Sequence, residues 1–264
     1  MLMAINIGNF DVSVGIFQTS SFELFLKFKL STDLRRTSDE YRTLINSILR
    51  ENRLDSSKIG GAIISSVVPQ ITNTISETVE RIVGKTPIIV GPGVKTGFSI
   101  KIDNPSELGG DIVANAAAVV HIQKTSGKNN SAIIVDVGTA TTISAIKNGE
   151  YIGCAICPGI KMSCEAMHGS TAQLPNVACS SPDSAIGKNS RDSVLSGVVI
   201  GNAIMLDGFV FRFIREMRCR AEDVDLYITG EHAERVIPFC KSDFVYEKDL
   251  TLQGLCRICA NSHK

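Results

Sequence analysis

The feature that most constrains the fold is an internal repeat of a strand-turn-strand pattern. AINIGN at Ala4–Asn9 aligns with IVDVGT at Ile134–Thr139, about half of the 264-residue chain further on. In each copy an apolar strand leads into Asn/Asp-x-Gly, and a second strand follows. A glycine at such a hairpin tip lets a ligand approach the backbone, and successive tip N–H groups can cradle phosphate oxygens. Two copies, each opening half of the chain, predict two similar α/β domains with a nucleotide bound between them.

A polar stretch predicts the boundary between the two halves. Lys124–Ser131 (KTSGKNNS) is rich in Ser, Asn and Gly, which is typical of a linker. The sequence therefore predicts an N-terminal domain over residues 1–123, a linker over 124–131 and a C-terminal domain over 132–264.

Apolar periodicity predicts the main elements of both halves. Phe22–Leu30 alternates apolar with mostly charged residues, so it is predicted to be a strand paired with the opening Met3–Phe17. Pro105–Gln123 is predicted to be a helix that is interrupted at its Gly-Gly pair. Helical periodicity also covers Ser190–Arg218 and Leu250–Ala260.

Charge and composition exclude several classes of partner. Lys+Arg and Asp+Glu each number 27, so the net charge is zero, whereas a nucleic-acid-binding domain usually carries a basic stripe. Trp is absent and aromatic residues make up 6%, which disfavours a stacking platform for bases. The apolar stretches are too short or too broken to predict a membrane span, and the start MLMAINIGNFD does not resemble a signal peptide. We therefore expect no nucleic-acid partner, no membrane association and a cytoplasmic location.

The cysteines raise a separate hypothesis. All eight lie in the second part of the chain, and two C-x-x-C pairs are present, Cys154 with Cys157 and Cys256 with Cys259. A zinc or thiol-redox protein is one interpretation, although the pairs are about 100 residues apart, far from zinc-ribbon spacing. The first pair also lies in a strand-like stretch, where residues i and i+3 face opposite sides. The alternative is that these are reduced thiols that serve as small hydrophobic residues.

Short motifs follow one another in a fixed order over nearly the whole chain. They are INIGN at the start, SSVVP at Ser65–Pro69, GPGVKTG at Gly91–Gly97, DNPSELGGD at Asp103–Asp111, DVGTATT at Asp136–Thr142, CPGI at Cys157–Ile160, IGKNS at Ile186–Ser190, SG at Ser196–Gly197 and DLTLQGL at Asp249–Leu255. In this order and spacing the chain resembles the type III pantothenate kinases, members of the actin/hexokinase/Hsp70-like phosphotransferase superfamily. The resemblance implies two similar ribonuclease-H-like (actin-like ATPase) domains, each a mixed central sheet with flanking helices.

The resemblance also implies an activity and a set of site residues. The family transfers the γ-phosphoryl group of ATP to the hydroxyl of pantothenate, with Mg²⁺ and a monovalent cation, K⁺ or NH₄⁺. Asp111 in GGDI matches the proton acceptor, Asp136 matches the residue that holds the monovalent cation, and Thr139 matches an ATP contact. The matched ATP phosphate loop consists of Asn6, Ile7, Gly8, Asn9, Phe10, Asp11, Val12 and Ser13. The matched pantothenate contacts are Ile102, Gly109, Gly110, Asp111, Ile112 and Ser190. The family forms a homodimer with the pantothenate site near the subunit interface, so a homodimer is predicted.

The departures from the family pattern fall on these same positions. Asn6 stands where the family has Asp, and an amide is a poorer ligand than a carboxylate for a hard cation. Phe10 stands in place of Thr, and Ile112 in place of an Arg that can bind an anionic substrate. Ile102 and Ser190 replace Tyr and Thr. Each lost charged contact costs about 1.5–3 kcal/mol.

These departures keep two further hypotheses open beside the kinase. One is a catalytically impaired paralogue that binds nucleotide or has a regulatory role on the same scaffold. The other is a phosphotransferase that acts on a different, less anionic alcohol, since Ile102 and Ile112 are both apolar.

Overall fold

A computed structural model describes residues 1–127 and 129–262 of the chain. Its internal contacts divide the chain into two units. The first unit comprises Met1–Phe98, Asp103–His121 and the segment that starts at Asp249. The second unit comprises Ser99–Ile102 and Ile122–Lys248.

Strands and helices occur in both units. The strands are Leu2–Ile7 (β1), Asp11–Phe17 (β2), Leu24–Ser31 (β3), Gly61–Ser66 (β4), Ile88–Ile89 (β5), Ser99–Ile100 (β6), Ser131–Val137 (β7), Ala140–Lys147 (β8), Glu150–Pro158 (β9), Val224–Thr229 (β10) and Val245–Tyr246 (β11). The α-helices are Ser38–Glu51 (α1), Pro69–Val83 (α2), Gly110–Ser126 (α3), Ile160–Ser170 (α4), Ser190–Leu195 (α5), Gly201–Met217 (α6), Ala233–Val236 (α7) and Leu250–Ser262 (α8).

The sheet of the first unit combines an antiparallel meander with parallel strands. Its order is β3-β2-β1-β4-β5, with β1 antiparallel to β2 and parallel to β4. The predicted third strand is confirmed, but it starts at Leu24, since Phe22 takes a left-handed turn conformation with φ 58°. The register places Asn6 beside Ser13 on one side and Ser65 on the other.

Local sequence signals fix the helices that flank this sheet. Thr37 and Glu40 form a capping box at the start of α1. Pro69 opens α2, and Gly84 ends it in a left-handed conformation with φ 73°. The predicted interruption before α3 is confirmed, because a 3₁₀ turn at Pro105–Glu107 precedes the helix that begins at Gly110.

The second unit repeats the pairing of the first. β7, β8 and β9 form an antiparallel meander, β10 lies parallel to β7, and β11 lies parallel to β10. The strand β6 adds to the far edge, parallel to β9. The duplication predicted from the two hairpin motifs is therefore confirmed at the level of sheet topology.

The longest helical stretch of the second unit runs over Ser190–Met217, close to its predicted bounds. A π-helical turn at Ser196–Ile200 joins α5 to α6. By length and composition this stretch could cross a membrane, but half of its most apolar window is buried inside the protein. Leu195, Val199 and Leu206 lie in the core of the second unit, which is typical of a core helix.

The predicted linker is shorter in the structure. α3 continues to Ser126, and the Thr125 and Ser126 hydroxyls donate to the Ile122 carbonyl, 3.0 and 2.8 Å away. Ser131 is already buried in β7. Lys128, within the predicted linker, lies outside the described residues.

The last helix departs from the predicted division of the chain. The sequence assigned all of 132–264 to the C-terminal domain, whereas α8 packs on β1 and β4 of the first unit. Leu252, Leu255 and Ile258 are buried on its inner face. Such a long-range contact leaves no local signal, because an amphipathic helix fits either sheet equally well by pattern.

Candidate active site

The first hairpin turns tightly at the end of β1. The Gly8 N–H donates to the Asp11 carbonyl at 2.8 Å, and the Thr32 hydroxyl donates to the Gly8 carbonyl at 2.7 Å. Asn9 and Phe10 are exposed at the tip. The hairpin therefore presents backbone and two exposed side chains at its turn.

Two of the predicted ATP contacts offer only their backbone. Ile7 and Val12 are fully buried in the core of the first unit. Their side chains fix the hairpin on the sheet and are not available to a ligand.

A charged group beside this hairpin was missed by the sequence analysis. The Lys29 ammonium lies 2.6 Å from a carboxylate oxygen of Asp11, and the Ser13 hydroxyl donates to the other oxygen at 3.0 Å. The register pairs Ser13 with Lys29. The alternation of β3 places Lys27 and Lys29 on one face, and that signal predicts a cation here once the β2–β3 register is known.

Two buried polar atoms lie side by side below the hairpin. Asn6 Oδ1 and Ser65 Oγ are buried and have no hydrogen-bond partner among residues 1–127 and 129–262. Ser65 is fully buried, and a Cβ on Gly110 would lie 2.8 Å from its Oγ. Gly110 thus lets α3 begin directly above Ser65. A buried polar atom without a partner destabilises the fold by about 1–3 kcal/mol. Such an atom therefore calls for an explanation, and a role in binding is one.

Asp111 lies in the first turn of α3 and directly follows Gly110, which packs on Ser65. Its Oδ1 accepts a hydrogen bond from the Ile112 N–H at 2.8 Å, and a Cβ on Gly109 would lie 2.6 Å from the same oxygen. Burial raises the pKa of Asp111 above its ordinary value, although the Ile112 N–H opposes the shift. A carboxylate with a raised pKa is a better proton acceptor at neutral pH than an exposed one. Ile112 itself is buried, so its side chain serves the core.

The second hairpin holds Asp136 against tightly packed backbone. The Gly138 N–H donates to the Ala140 carbonyl at 3.1 Å, which closes the turn. A Cβ on Gly138 would lie 3.3 Å from Asp136 Oδ1. Gly159 packs directly against the Gly138 and Thr139 carbonyl oxygens, with no room for a Cβ. A half-buried carboxylate and backbone carbonyls therefore lie close together at this turn.

The remaining predicted contacts also belong to the second unit. Ile102 is half-buried just after β6, and Ser190 is exposed at the start of α5, where Asn189 caps the helix. The structure thus brings the first hairpin together with Gly109–Ile112 in the first unit. Asp136, Thr139, Ile102 and Ser190 lie in the second unit.

The cysteine pairs do not form a common cluster. Cys154 and Cys157 lie on β9, and Cys256 and Cys259 are buried on α8, in the other unit. Over the described ranges, no group of three or more His, Cys, Asp or Glu side chains could hold a metal ion. The thiols of the second pair are buried core groups, as the structural interpretation predicts.

The duplicated mixed sheet with a glycine hairpin in each half defines the actin-like class of α/β folds. A solved Campylobacter jejuni protein described as a Baf family transcriptional activator has a TM-score of 0.60 and 19% identity, covering 98% of this chain and 97% of its own. A Listeria monocytogenes protein described as an N-acetylmannosamine kinase has a TM-score of 0.54 and 12% identity, covering 100% of this chain and 99% of its own. These likenesses concern the fold alone.

Sequence comparison narrows this class to one family. A family model of type III pantothenate kinases matches residues 2–212. A type III pantothenate kinase of Dictyoglomus turgidum is 35% identical over 259 residues, which is 97% of each chain. The chain belongs to the type III pantothenate kinase family.

Proposed function

We propose that this protein transfers the γ-phosphoryl group of ATP to the hydroxyl of pantothenate, giving 4′-phosphopantothenate and ADP. The observation that carries the proposal is the place of Asp111. It lies in the first turn of α3 and directly follows Gly110, which packs on the Ser65 hydroxyl, and the β1–β4 register pairs Ser65 with Asn6. Burial raises the pKa of its carboxyl. Family membership supplies the substrate class.

The proposed step uses Asp111 as the base. The substrate hydroxyl oxygen attacks the γ-phosphorus while Asp111 takes the hydroxyl proton. A new O–P bond forms, and the bond from the γ-phosphorus to the β,γ-bridging oxygen breaks, releasing ADP. Within the first hairpin, Asn6–Ser13, the peptide N–H groups at the exposed tip would bind phosphate oxygens, with Thr139 as a further contact from the second unit. Gly109–Ile112, Ile102 and Ser190 would hold the acceptor.

Oxygen atoms at the two hairpins fit two cations, Mg²⁺ at Asn6 and a monovalent cation at Asp136. Asn6 Oδ1 is a buried acceptor without a partner among the described residues, and this oxygen would hold Mg²⁺ as a poorer ligand than a carboxylate. Asp136 and the nearby carbonyl oxygens of Gly138 and Thr139 form a hard oxygen set that would hold a monovalent cation. When bound, such cations neutralise the charge that develops on the phosphates.

The structure favours the kinase over its two alternatives. Asp111 lies at a helix start, the first hairpin is closed and its glycines leave room for close packing, which supports a working site. An impaired regulatory paralogue would have to lose activity through the departures at Asn6, Phe10, Ile102, Ile112 and Ser190. Because Ile112 is buried, its replacement of Arg removes a charged contact without adding an apolar one to the acceptor. That placement gives no support to a less anionic acceptor.

The proposal includes a homodimer. Gly201, Ile204, Gly208 and Phe211 follow one another at helical spacing on α6, and Ile204 and Phe211 are 65% and 62% exposed. A stripe of glycines between exposed apolar side chains suits close packing against the same helix of a second copy. ATP as the phosphoryl donor and eight free cysteines support a cytoplasmic location.

Phosphopantothenate can be measured directly by mass spectrometry. Purified protein is incubated with ATP, Mg²⁺, pantothenate and K⁺ or NH₄⁺, beside an Asp111→Asn variant. We expect product with the native chain and a loss of about 10²- to 10⁴-fold with Asp111→Asn. Folded native protein that yields no phosphopantothenate while it turns over another alcohol would overturn the assigned acceptor. Undiminished turnover by Asp111→Asn would overturn the assigned base.

A further inference from the structure

The motif DLTLQGL at Asp249–Leu255 has no part in the chemistry described so far. The structure places it at the start of α8, inside the first unit. Its polar side chains bind that unit on β3 and on α3. These contacts connect the motif to the helix that carries Asp111.

The first contact fixes the beginning of the motif. The Lys27 ammonium on β3 forms a half-buried ion pair with the Asp249 carboxylate. Leu252 packs beside β2, since a Cβ on Gly15 would lie 3.2 Å from its Cδ1. The motif is therefore held on the sheet before it meets α3.

The second contact lies on α3, one turn beyond Asp111. The Thr251 hydroxyl donates to Asn115 Oδ1 at 2.8 Å, and Asn115 is buried. Gly254 lies against the Ala114 carbonyl so closely that a Cβ would overlap it. α8 therefore touches α3 backbone to backbone at this point.

The contacted residues of α3 lie on the same helix face as the proposed proton acceptor, Asp111. Residues three and four apart share a helix face, so Ala114 and Asn115 lie directly below Asp111. A shift of α3 along or about its axis at Ala114 moves the Asp111 carboxylate by a similar amount. Misplacement of a catalytic group by about 1 Å can cost about 100-fold in rate.

We propose that the Asp249–Leu255 motif positions Asp111, with Thr251 and Gly254 as its positioning residues on α3. The inference rests on the proposed role of Asp111 as the base. Thr251 and Gly254 act through α3 and do not touch the substrate.

The test compares two Thr→Val variants in the same unit. Thr251→Val removes the hydroxyl that holds Asn115. Thr78→Val removes the hydroxyl of a fully buried residue of α2, whose hydrogen bonds run to the Ser38 and Thr74 carbonyls. Both variants lose a partly buried hydrogen bond, so both lower the melting temperature, but only the first bond reaches the face of α3 below Asp111.

We expect Thr251→Val to lower kcat about ten- to a hundredfold with the KM for ATP within about twofold. Thr251→Ser, which keeps the hydroxyl, restores kcat, and Thr78→Val leaves kcat unchanged. Gly254→Ala, which forces α3 away, lowers kcat in the same way and serves if Thr251→Val does not fold. Equal kcat values for folded Thr251→Val and Thr78→Val would overturn the inference. If Asp111→Asn keeps its turnover, the assigned base itself fails, so the two failures are distinguishable.

Discussion

Gly230 lies so close to Asp136 that a Cβ at position 230 would be 2.5 Å from the Asp136 Oδ1 atom. Gly230 also has φ +102°, a backbone conformation that other residues rarely adopt. It directly follows Thr229, which pairs with Asp136 in the β10–β7 register. The backbone after β10 therefore confines the Asp136 carboxylate, and no residue other than glycine fits at position 230.

The first prediction concerns this confinement. Gly230→Ala adds a Cβ that pushes Asp136 aside, so we expect kcat to fall at least about tenfold and the K⁺ concentration for half-activation to rise. Steady-state kinetics over a K⁺ series measures both. Gly149→Ala is the matched control, since Gly149 has φ +75° in the β8–β9 turn and a Cβ there meets no heavy atom of the described residues within 4 Å. We expect that control to lose about 1–2 kcal/mol of stability and to keep its K⁺ response. Equal K⁺ responses in both variants would contradict the prediction.

The second prediction concerns Asp111 and pH. Burial raises the pKa of Asp111 above its ordinary value of 3.8, so the charged carboxylate destabilises the folded state at neutral pH. The penalty is present above the folded-state pKa, declines as the pH falls and vanishes below 3.8, where both states bind the proton. Asp111→Asn should therefore melt at a higher temperature than the native chain at pH 7, by about 2–4 °C for each kcal/mol. Thermal melts at pH 7 and near the lowest pH at which the fold survives test this. A lower melting temperature for Asp111→Asn at pH 7 would count against it.

The raised pKa of Asp111 also predicts the pH dependence of kcat. As the pH falls, kcat should decline at a pH above the ordinary carboxyl range, because the base becomes protonated there.

The third prediction concerns Asn6. Asn6→Asp places a carboxylate beside Ser65, where the buried amide oxygen has no partner in the described parts of the chain. An unpaired buried charge costs about 3–5 kcal/mol, so the variant should melt lower than the native chain without ligand. Mg²⁺ with ATP should recover much of the loss, because binding to the folded state adds stability. Asn9→Asp makes the same charge change at the exposed hairpin tip and should leave the melting temperature nearly unchanged. If Mg²⁺ and ATP do not raise the melting temperature of Asn6→Asp, the assignment of Asn6 to the metal is refuted.

The fourth prediction concerns the exposed stripe on α6. Ile204→Glu places a charge between Gly201 and Gly208, and we expect light scattering after size exclusion to report a monomer. Leu34→Glu, at an apolar side chain that is 60% exposed in the first unit, should leave the dimer intact. If the Ile204→Glu protein stays dimeric, the α6 face is not the interface.

The hairpins and the duplication could be predicted because their signals are local. Strand alternation and Asn/Asp-x-Gly lie within a few residues of each other, and each copy folds in the same way. The role of Asp111 was predicted from a motif match, and its position in the first turn of α3 agrees with the predicted break at the Gly-Gly pair.

Other parts of the site depend on pairing that no short segment encodes. The β1–β4 register places Ser65 beside Asn6, and the β2–β3 register places Lys29 near Asp11. Thr229-Gly230 was visible in the sequence, but the contact with Asp136 required the β10–β7 register. Such long-range register is set by burial on both faces of a sheet, and the pattern of one strand does not contain it.

The return of α8 to the first unit affects the order in which the protein folds during synthesis. The ribosome makes β1 to β5 first, but the helix that covers β1 and β4 emerges only after the whole second unit. Until then, one face of the nascent first sheet lacks its apolar cover, and α3 lacks the contact at Ala114. The second unit, by contrast, has a continuous stretch over Ile122–Lys248 and receives most of its elements together. The half of the protein that is made first is therefore completed last.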